Sequence, residues 1–217
     1  MEVIGQSWSW VNKPVNPLQL IELAGRTCYK SESKITPESA AKFVQRITES
    51  GHHSVIEHVN ATVRFITDRG VTHELVRHRL AAYSQESTRY CNYGKEHIQF
   101  ILPVWMPSNY IGIYNLDINS ELASTTNPNL IWIRSMLNTE KDYKELLAQG
   151  WRPEQARDVL PNSLKTEIIM TANVREWRHV FTLRTSKAAH PQIRELMLSC
   201  LKGFQEEIPV IFDGIGE

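Results

Sequence analysis

The chain has 217 residues, and its 24 lysines and arginines are balanced by 24 aspartates and glutamates. That length suits one domain or two small ones, and a net charge of zero excludes a protein whose main work is wrapping nucleic acid, which needs a basic excess. There is no run near the ~18 apolar residues of a membrane span, no basic-then-apolar leader over Met1–Trp10, and Cys28, Cys91 and Cys200 are too scattered for a disulfide framework or a CxxC metal pair, so the expectation is a cytoplasmic protein with no membrane or metal partner.

Pro17, after Asn16, opens an apolar-periodic run that predicts a helix over about 17–29. Thr36-Pro37-Glu38 places a capping side chain, a first-turn proline and an acid at the positive end of a second helix. Its apolar face is Ala40, Ala41, Phe43, Val44 and Ile47, and Gly51 is its stop. Residues 60–67 alternate, with Ala61, Val63 and Phe65 on one side, as a half-buried strand does. Gly70 is read as its end, followed by a short helix over 71–80 and a polar loop over 82–94. Residues 94–126, rich in Pro, Asn and Tyr, carry no clear period.

Asn127-Pro128 begins a long helix stopped by Gly150, and Pro153 begins a short one that ends before Pro161. Residues 164–172 favour a strand. Asn173 with Glu176 three residues later has the form of a capping box, which predicts a helix over 174–184. Pro191 starts the last helix. Helices with few strands, and no regular βαβ alternation, indicate an α+β chain over 1–217 without repeats or linkers.

Arginine dominates the basic residues, 14 against 10 lysines, and 11 of the 14 fall into two stretches, 64–89 and 152–194. Arginine binds phosphate and carboxylate bidentately, so the distribution fits either a small-anion site or surface salt bridging. Neither GxGxxG nor GxxxxGK[ST] is present. Any nucleotide would therefore have to be held by arginines and helix ends.

Three segments concentrate chemistry. Gly51 to His58 carries three histidines and Glu57 but matches no metal motif, and His52 and His58 do not share a helix face. Packing and helix-capping histidines explain it better than a metal does. The segment 77–90 surrounds hydroxyl and amide side chains with Arg77, His78, Arg79 and Arg89, a donor-rich loop suited to a phosphate with a base or sugar, and it lacks the GxSxG of a serine hydrolase. In the third, Arg157 is followed by Asn173, Arg175, Arg178, His179 and Arg184, of which Arg175, Arg178 and His179 share one helix face. A nucleotide- or RNA-binding module and a His/Glu metal hydrolase built on 52–58 are the alternatives to an enzyme binding two phosphorylated ligands.

The stretch 77–89 resembles the signature RHRxxSxNxxSxR of the flavin-dependent thymidylate synthases. Arg77, His78, Arg79, Ser87 and Arg89 match in spacing, while Ala82 and Ser84 depart from it. Gly-His-x-Ser-x-x-Glu-His (51–58), Ala-Arg-x-Val-Leu-Pro (156–161), Asn-x-Arg (173–175) and Leu183-Arg184 resemble further blocks of that family, in the same order.

The resemblance implies helices packed around a small, mostly antiparallel sheet, in a homotetramer whose active sites lie between subunits. It implies conversion of dUMP to dTMP with methylenetetrahydrofolate as one-carbon donor and NADPH as reductant through FAD. By position, Ser54, Arg77, His78, Arg79, Gln85, Asn173, Val174, Arg175 and His179 would touch FAD, with His52 near the flavin ring. Glu74, Leu75, Val76, Arg77, Gln85, Glu86, Ser87, Thr88, Arg89, Arg157 and Arg184 would hold dUMP. Arg184 would favour the ionised pyrimidine ring, because a guanidinium stays charged and stabilises developing negative charge. Ser87 is expected to act as a hydrogen-bond donor rather than a nucleophile, since no base adjoins it in sequence. Glu74 stands where the family usually has Gln, and His179 where Asn is common.

Overall fold

The computed structural model describes residues 1–115 and 120–216. The chain forms two compact units. Unit 1 comprises Met1–Ser7, Ile66–Glu74 and Gln85–Ile168, and unit 2 comprises Trp8–Phe65, Leu75–Ser84 and Ile169–Glu217.

Unit 1 contains a three-stranded sheet in the order β5 (Gln99–Ile101), β1 (Glu2–Ile4), β6 (Gly112–Ile113). β1 pairs parallel with β5, in register Val3 to Phe100, and antiparallel with β6. This small sheet is therefore mixed, with one parallel and one antiparallel pair. Against it lies α5 (Pro128–Ala148), whose first turn is capped by the Asn127 side chain accepting from the Asn129 N–H at 2.9 Å. Val3, Phe100, Ile133, Leu137 and Tyr143 belong to one buried cluster. The periodless stretch 94–126 therefore hides two short strands, and its residues 116–119 lie outside the described residues.

The second sheet runs β2 (Ser7–Asn12), β3 (Asn60–Asp68), β7 (Lys165–Asn173), β4 (Ala81–Gln85). β3 and β7 have alternating burial over their full lengths, as their sequences predict, and Ala61, Val63 and Phe65 are fully buried. Thr62 and Thr171 join their hydroxyls across this pair at 2.9 Å. Two expectations fail here. Residues 82–85, read as the start of a loop, belong to β4 (Ala81–Gln85), and the polar Tyr-Ser-Gln composition had masked the alternation. α3 covers Arg69–Leu75 rather than 71–80 and contains Gly70, because the Asp68 side chain accepts the Val71 N–H at 2.7 Å and starts the helix early.

In unit 2, α7 (Val174–Arg184) and α8 (Pro191–Glu207) enclose an aromatic core. Trp177 lies with its ring centroid 5.6 Å from Phe181 and 4.9 Å from Phe204, and Phe204 lies 5.2 Å from Phe212. Such pairs contribute roughly 0.5–1.5 kcal/mol each beyond burial. The Trp177 indole N–H donates to the Ala61 carbonyl at 3.2 Å, so the helix is fixed to β3 in register as well as by packing.

α1 (Pro17–Thr27) and α2 (Ser39–Glu49) form a helix pair. α2 begins at Ser39 rather than at the expected Thr36-Pro37-Glu38. The Ser39 hydroxyl accepts the Thr36 N–H at 2.9 Å and donates to Glu22 at 2.7 Å. Gly51 ends it with φ +75°, the left-handed conformation that favours glycine. The pair approaches closely at Gly25, where an added Cβ would sit 2.7 Å from the Phe43 ring and 2.9 Å from Ile47 Cδ1.

Alanine gains about 1 kcal/mol over glycine in a helix interior, whereas overpacking against a ring held between helices costs typically 1–3 kcal/mol. Gly25→Ala is expected to lower Tm by roughly 2–6 °C, measured by calorimetry. An unchanged or raised Tm would show that α1 and α2 separate freely.

Candidate functional site

The sequence-predicted residues divide between the two units.

In unit 1, Gln85 ends β4 and Glu86 opens the turn 86–91. The Gln85 side-chain amide donates to Thr72 Oγ1 at 2.9 Å and Thr166 Oγ1 at 3.3 Å. The turn closes by Tyr90 and Cys91 N–H donating to the Ser87 carbonyl at 3.1 and 2.9 Å. Ser87 Oγ accepts the Arg89 N–H at 3.3 Å, and among the described residues no His, Asp or Glu hydrogen-bonds to it. Arg157, in the 3-10 turn Arg157–Val159, donates to Thr88 Oγ1 at 3.4 Å. Two segments that sequence spacing only suggested belong together are therefore adjacent. Arg89 and Arg157 are exposed, and among the described residues no carboxylate pairs with either.

Glu86 is differently engaged. Its carboxylate accepts from the Tyr93 hydroxyl at 2.7 Å and from Lys165 Nζ at 3.1 Å, and Lys165 also donates to Glu167 at 2.8 Å. Burial, with the Glu86 bond behind it, pushes the Tyr93 phenol far above its ordinary range. Lys165 keeps its charge, because its two carboxylate partners outweigh the cost of burial. Tyr93 and Lys165 were missed in the sequence, where each is an isolated residue. Glu74 ends α3, half-buried.

In unit 2, the segment Leu75–Leu80 turns between α3 and β4. The Tyr83 hydroxyl donates to the carbonyls of Leu75 at 2.8 Å and His78 at 3.1 Å, and burial, then the charge of Glu176, pushes this phenol up to about 12. Leu80, 82% exposed, has φ +65°, a left-handed conformation costing a non-glycine residue of order 1 kcal/mol. The turn exposes Arg77 and Arg79 and buries His78 between them. Among the described residues no carboxylate pairs with Arg77 or Arg79. Ser54 and His52 are exposed at the 3-10 turn after α2.

α7 supplies the other half. The Asn173 side chain accepts the Glu176 N–H at 2.9 Å, as the capping pattern predicts. Glu176 does more than complete a capping box, since its carboxylate stands beside His78, Oε1 at 3.8 Å from Nδ1, buried and without a hydrogen bond. Burial raises the Glu176 pKa, partly offset by His179. The His78 and His179 rings meet edge-on at 5.7 Å. One turn farther along, Arg184 Nε donates to His78 Nε2 at 2.9 Å. Arg175, exposed, pairs with Glu57. That pairing and the bond of His53 to the Thr48 carbonyl at 3.2 Å engage two members of the 52–58 cluster.

The ligand atoms of His78, Glu176 and His179 lie within 4.8 Å of one another, which is the spacing of a potential metal group. The Arg184 bond, however, already takes the Nε2 lone pair of His78, so its proton sits on Nδ1 facing Glu176. Burial first, then the charges of Arg184 and His179, bring the His78 pKa from 6.5 down to about 4. A neutral imidazole is what this geometry requires, for only neutral His78 can accept from a guanidinium.

The sign of the resulting pH dependence follows. Between pH 6.5 and about 4 the unfolded chain protonates His78 and the folded chain does not. Stability is therefore full above pH 6.5 and falls as pH drops through that window. Glu176, with a raised pKa, acts in the opposite sense, but it is common to wild type and variant. From pH 8 to pH 5 wild type is expected to lose about 2 kcal/mol more than His78→Gln, which keeps an acceptor without titrating. Urea unfolding at the two pH values measures this, and equal losses would place His78 in solvent.

Known proteins resemble this chain over most of its length. The family model described as thymidylate synthase complementing protein matches residues 11–210. A flavin-dependent thymidylate synthase of Corynebacterium aurimucosum is 34% identical over 199 residues, 89% of this chain and 78% of the relative. Among solved structures, thymidylate synthase X of Helicobacter pylori, crystallised with FAD and dUMP, has a TM-score of 0.78 at 21% identity, covering 98% of this chain and 99% of that one. A UMP/dUMP methylase, PolB of Streptomyces cacaoi, bound with 5-Br dUMP, gives 0.77 at 22%, covering 98% and 96%. At those identities the two structures establish the α+β fold, and the family match and the relative establish that the chain belongs to the family of flavin-dependent thymidylate synthases.

Proposed function

We propose that the protein converts dUMP to dTMP, taking a one-carbon unit from methylenetetrahydrofolate and reducing equivalents from NADPH through FAD, in a homotetramer with active sites between subunits. The observation that carries this reading is Arg184, held through Nε by a neutral, buried His78 on the segment that matches the family signature.

The donor set fits both anionic ligands. Arg77 and Arg79 are exposed cations in unit 2, without acidic partners among the described residues, and with Ser54, His78, Asn173, Val174, Arg175 and His179 of the same unit they would hold the FAD phosphates. FAD, when bound, relays the reducing equivalents of NADPH. Arg89 and Arg157, also without acidic partners among the described residues, suit the phosphate of dUMP. The turn 86–89 offers backbone N–H groups and the Ser87 and Thr88 hydroxyls to phosphate or pyrimidine. Glu74, Leu75 and Val76 precede that turn on α3 and its end. The absence of a base bonded to Ser87 supports a donor role for it.

Arg184 has a more specific task. A uracil ring becomes nucleophilic at C5 as negative charge builds over N3 and its carbonyls. A permanently charged guanidinium fixed in place stabilises that charge without reorganising. Bonding Nε to His78 sets the plane of the guanidinium. His52, exposed at the end of the α2 turn, is assigned to the flavin side.

The family match crosses both units, which supports 1–217 acting as one functional domain. Among the described residues no helix is long and apolar enough to cross a membrane.

Purified protein is expected to be yellow and to release FAD on denaturation. Arg184→Ala is expected to retain fold and flavin but to lose dTMP formation by about 10²-fold or more, the scale of removing one preorganised charge-stabilising donor. The assay measures methylation of dUMP beside UMP. Turnover near wild type in the variant would remove Arg184 from the chemistry, and colourless protein that takes up no FAD would sink the whole reading.

A further inference from the structure

We propose that the cavity between α1 and α2 binds the oxyanionic end, phosphate or carboxylate, of one of the two soluble co-substrates. The cavity, about 600 Å³, lies in the size range of small-molecule sites. Its rim carries Arg26, Lys34, Lys42 and Arg46, and among the described residues no carboxylate lines it. In a chain of zero net charge, four cations around one opening is a local excess.

One of them is built in rather than merely exposed. Glu22 is 1% exposed, and it accepts from Arg26 Nε at 2.7 Å and from Ser39 Oγ at 2.7 Å. A buried carboxylate is costly unless paired, so Glu22 ties Arg26 firmly to the helix pair. The Arg26 guanidinium carbon also sits 4.7 Å from the centroid of the Phe43 ring, a cation–π arrangement. With Nε engaged and the plane fixed, the four terminal N–H groups of Arg26 remain as a preorganised fork on the wall of the cavity, matched to phosphate or carboxylate.

Lys34, Lys42 and Arg46 differ from Arg26, since among the described residues no carboxylate pairs with them. Three uncompensated cations with one oriented fork create a field that only an anion relieves. The Phe43 and Tyr29 rings supply apolar wall beside them.

His52 lines the same cavity. The identity of the ligand rests on the proposed function, in which His52 faces the flavin. A molecule anchored by its anionic end on Arg26 and Arg46 would then present its other end toward that imidazole. Both soluble co-substrates have the required chemistry, NADPH through its phosphates and methylenetetrahydrofolate through its glutamate carboxylates.

The test uses the FAD-loaded protein as Lys42→Ala/Arg46→Ala, and as Arg26→Lys, which keeps charge but loses the fork. KM is measured for NADPH, methylenetetrahydrofolate and dUMP, with Lys141→Ala on α5 as a control for loss of a surface charge. Each charge-assisted hydrogen bond contributes enough that KM for one co-substrate should rise about tenfold or more. A rise for NADPH identifies phosphate as the ligand, and a rise for the folate identifies carboxylate. Independently of turnover, with dUMP saturating so that the Arg89 and Arg157 site is filled, inorganic pyrophosphate should raise the Tm of wild type and of Lys141→Ala but not of the two cavity variants. If wild type makes no dTMP, the functional reading fails while this pyrophosphate comparison still decides the site. Co-substrate KM values within twofold of wild type together with an unaltered pyrophosphate response would overturn the proposal, as would a change confined to dUMP.

Discussion

The hydrogen bond from Arg184 Nε to His78 Nε2 sets conditions on everything around it. It exists only if His78 is neutral, and a histidine 6% exposed between two exposed arginines is kept neutral by desolvation and by the positive charge of the guanidinium it accepts from. The bond therefore reinforces itself, because Arg184 lowers the basicity of its own acceptor and so preserves it. It also requires the turn 75–80 to hold a fixed shape, which the Tyr83 hydroxyl secures by donating to both the Leu75 and the His78 carbonyls, at the cost of a left-handed Leu80.

The other end of that bond is set by α7. The buried face of the helix, Trp177, Val180 and Phe181, is clamped by Phe204 and Phe212, and Trp177 is tied to the Ala61 carbonyl. The opposite face carries Arg178, His179 and the acidic Glu176. One short helix thus couples a close-packed aromatic surface, which tolerates little displacement, to a row of charges that must be placed to a fraction of an ångström. The Asn173 cap fixes where the helix starts and hence the rotation of the whole row.

Much of this was legible in the residues. Alternation read β3 correctly, the strand-favouring run around Ile168 and Ile169 read β7, and the Asn173 cap and the prolines at 17, 128 and 191 marked helix starts that the structure keeps. The losses have a common physical origin. β2 and β4 carry Trp8, Trp10, Tyr83 and Gln85, whose polar edges make an alternating strand resemble a loop. Yet Trp10 packs 4.5 Å from Phe204, and the Gln85 amide is satisfied by two threonines. Glu176 illustrates the other kind of loss. Three residues after an N-cap, it is fully explained by local helix chemistry, and only the fold shows its carboxylate turned to a histidine 98 positions away in sequence. Local patterns assign a residue one task and cannot register a second that arises from long-range contact.

The charge distribution follows the same logic of compensation. Where a cation is enclosed by carboxylates, as Lys165 is by Glu86 and Glu167, it holds structure and is not available to a ligand. Where arginines stand without acids among the described residues, as at 77, 79, 89 and 157, the field is left for a phosphate to satisfy. A net charge of zero is compatible with both, because it sums over the whole chain while recognition depends on the charges within about one Debye length, roughly 8–10 Å at physiological salt. Arg26 occupies an intermediate position. Its Nε is consumed by buried Glu22 and its fork is left over, so a single acid both neutralises the residue on paper and fixes it in the orientation that makes it a receptor. Counting ion pairs would discard such an arginine, whereas following each N–H to its acceptor retains it.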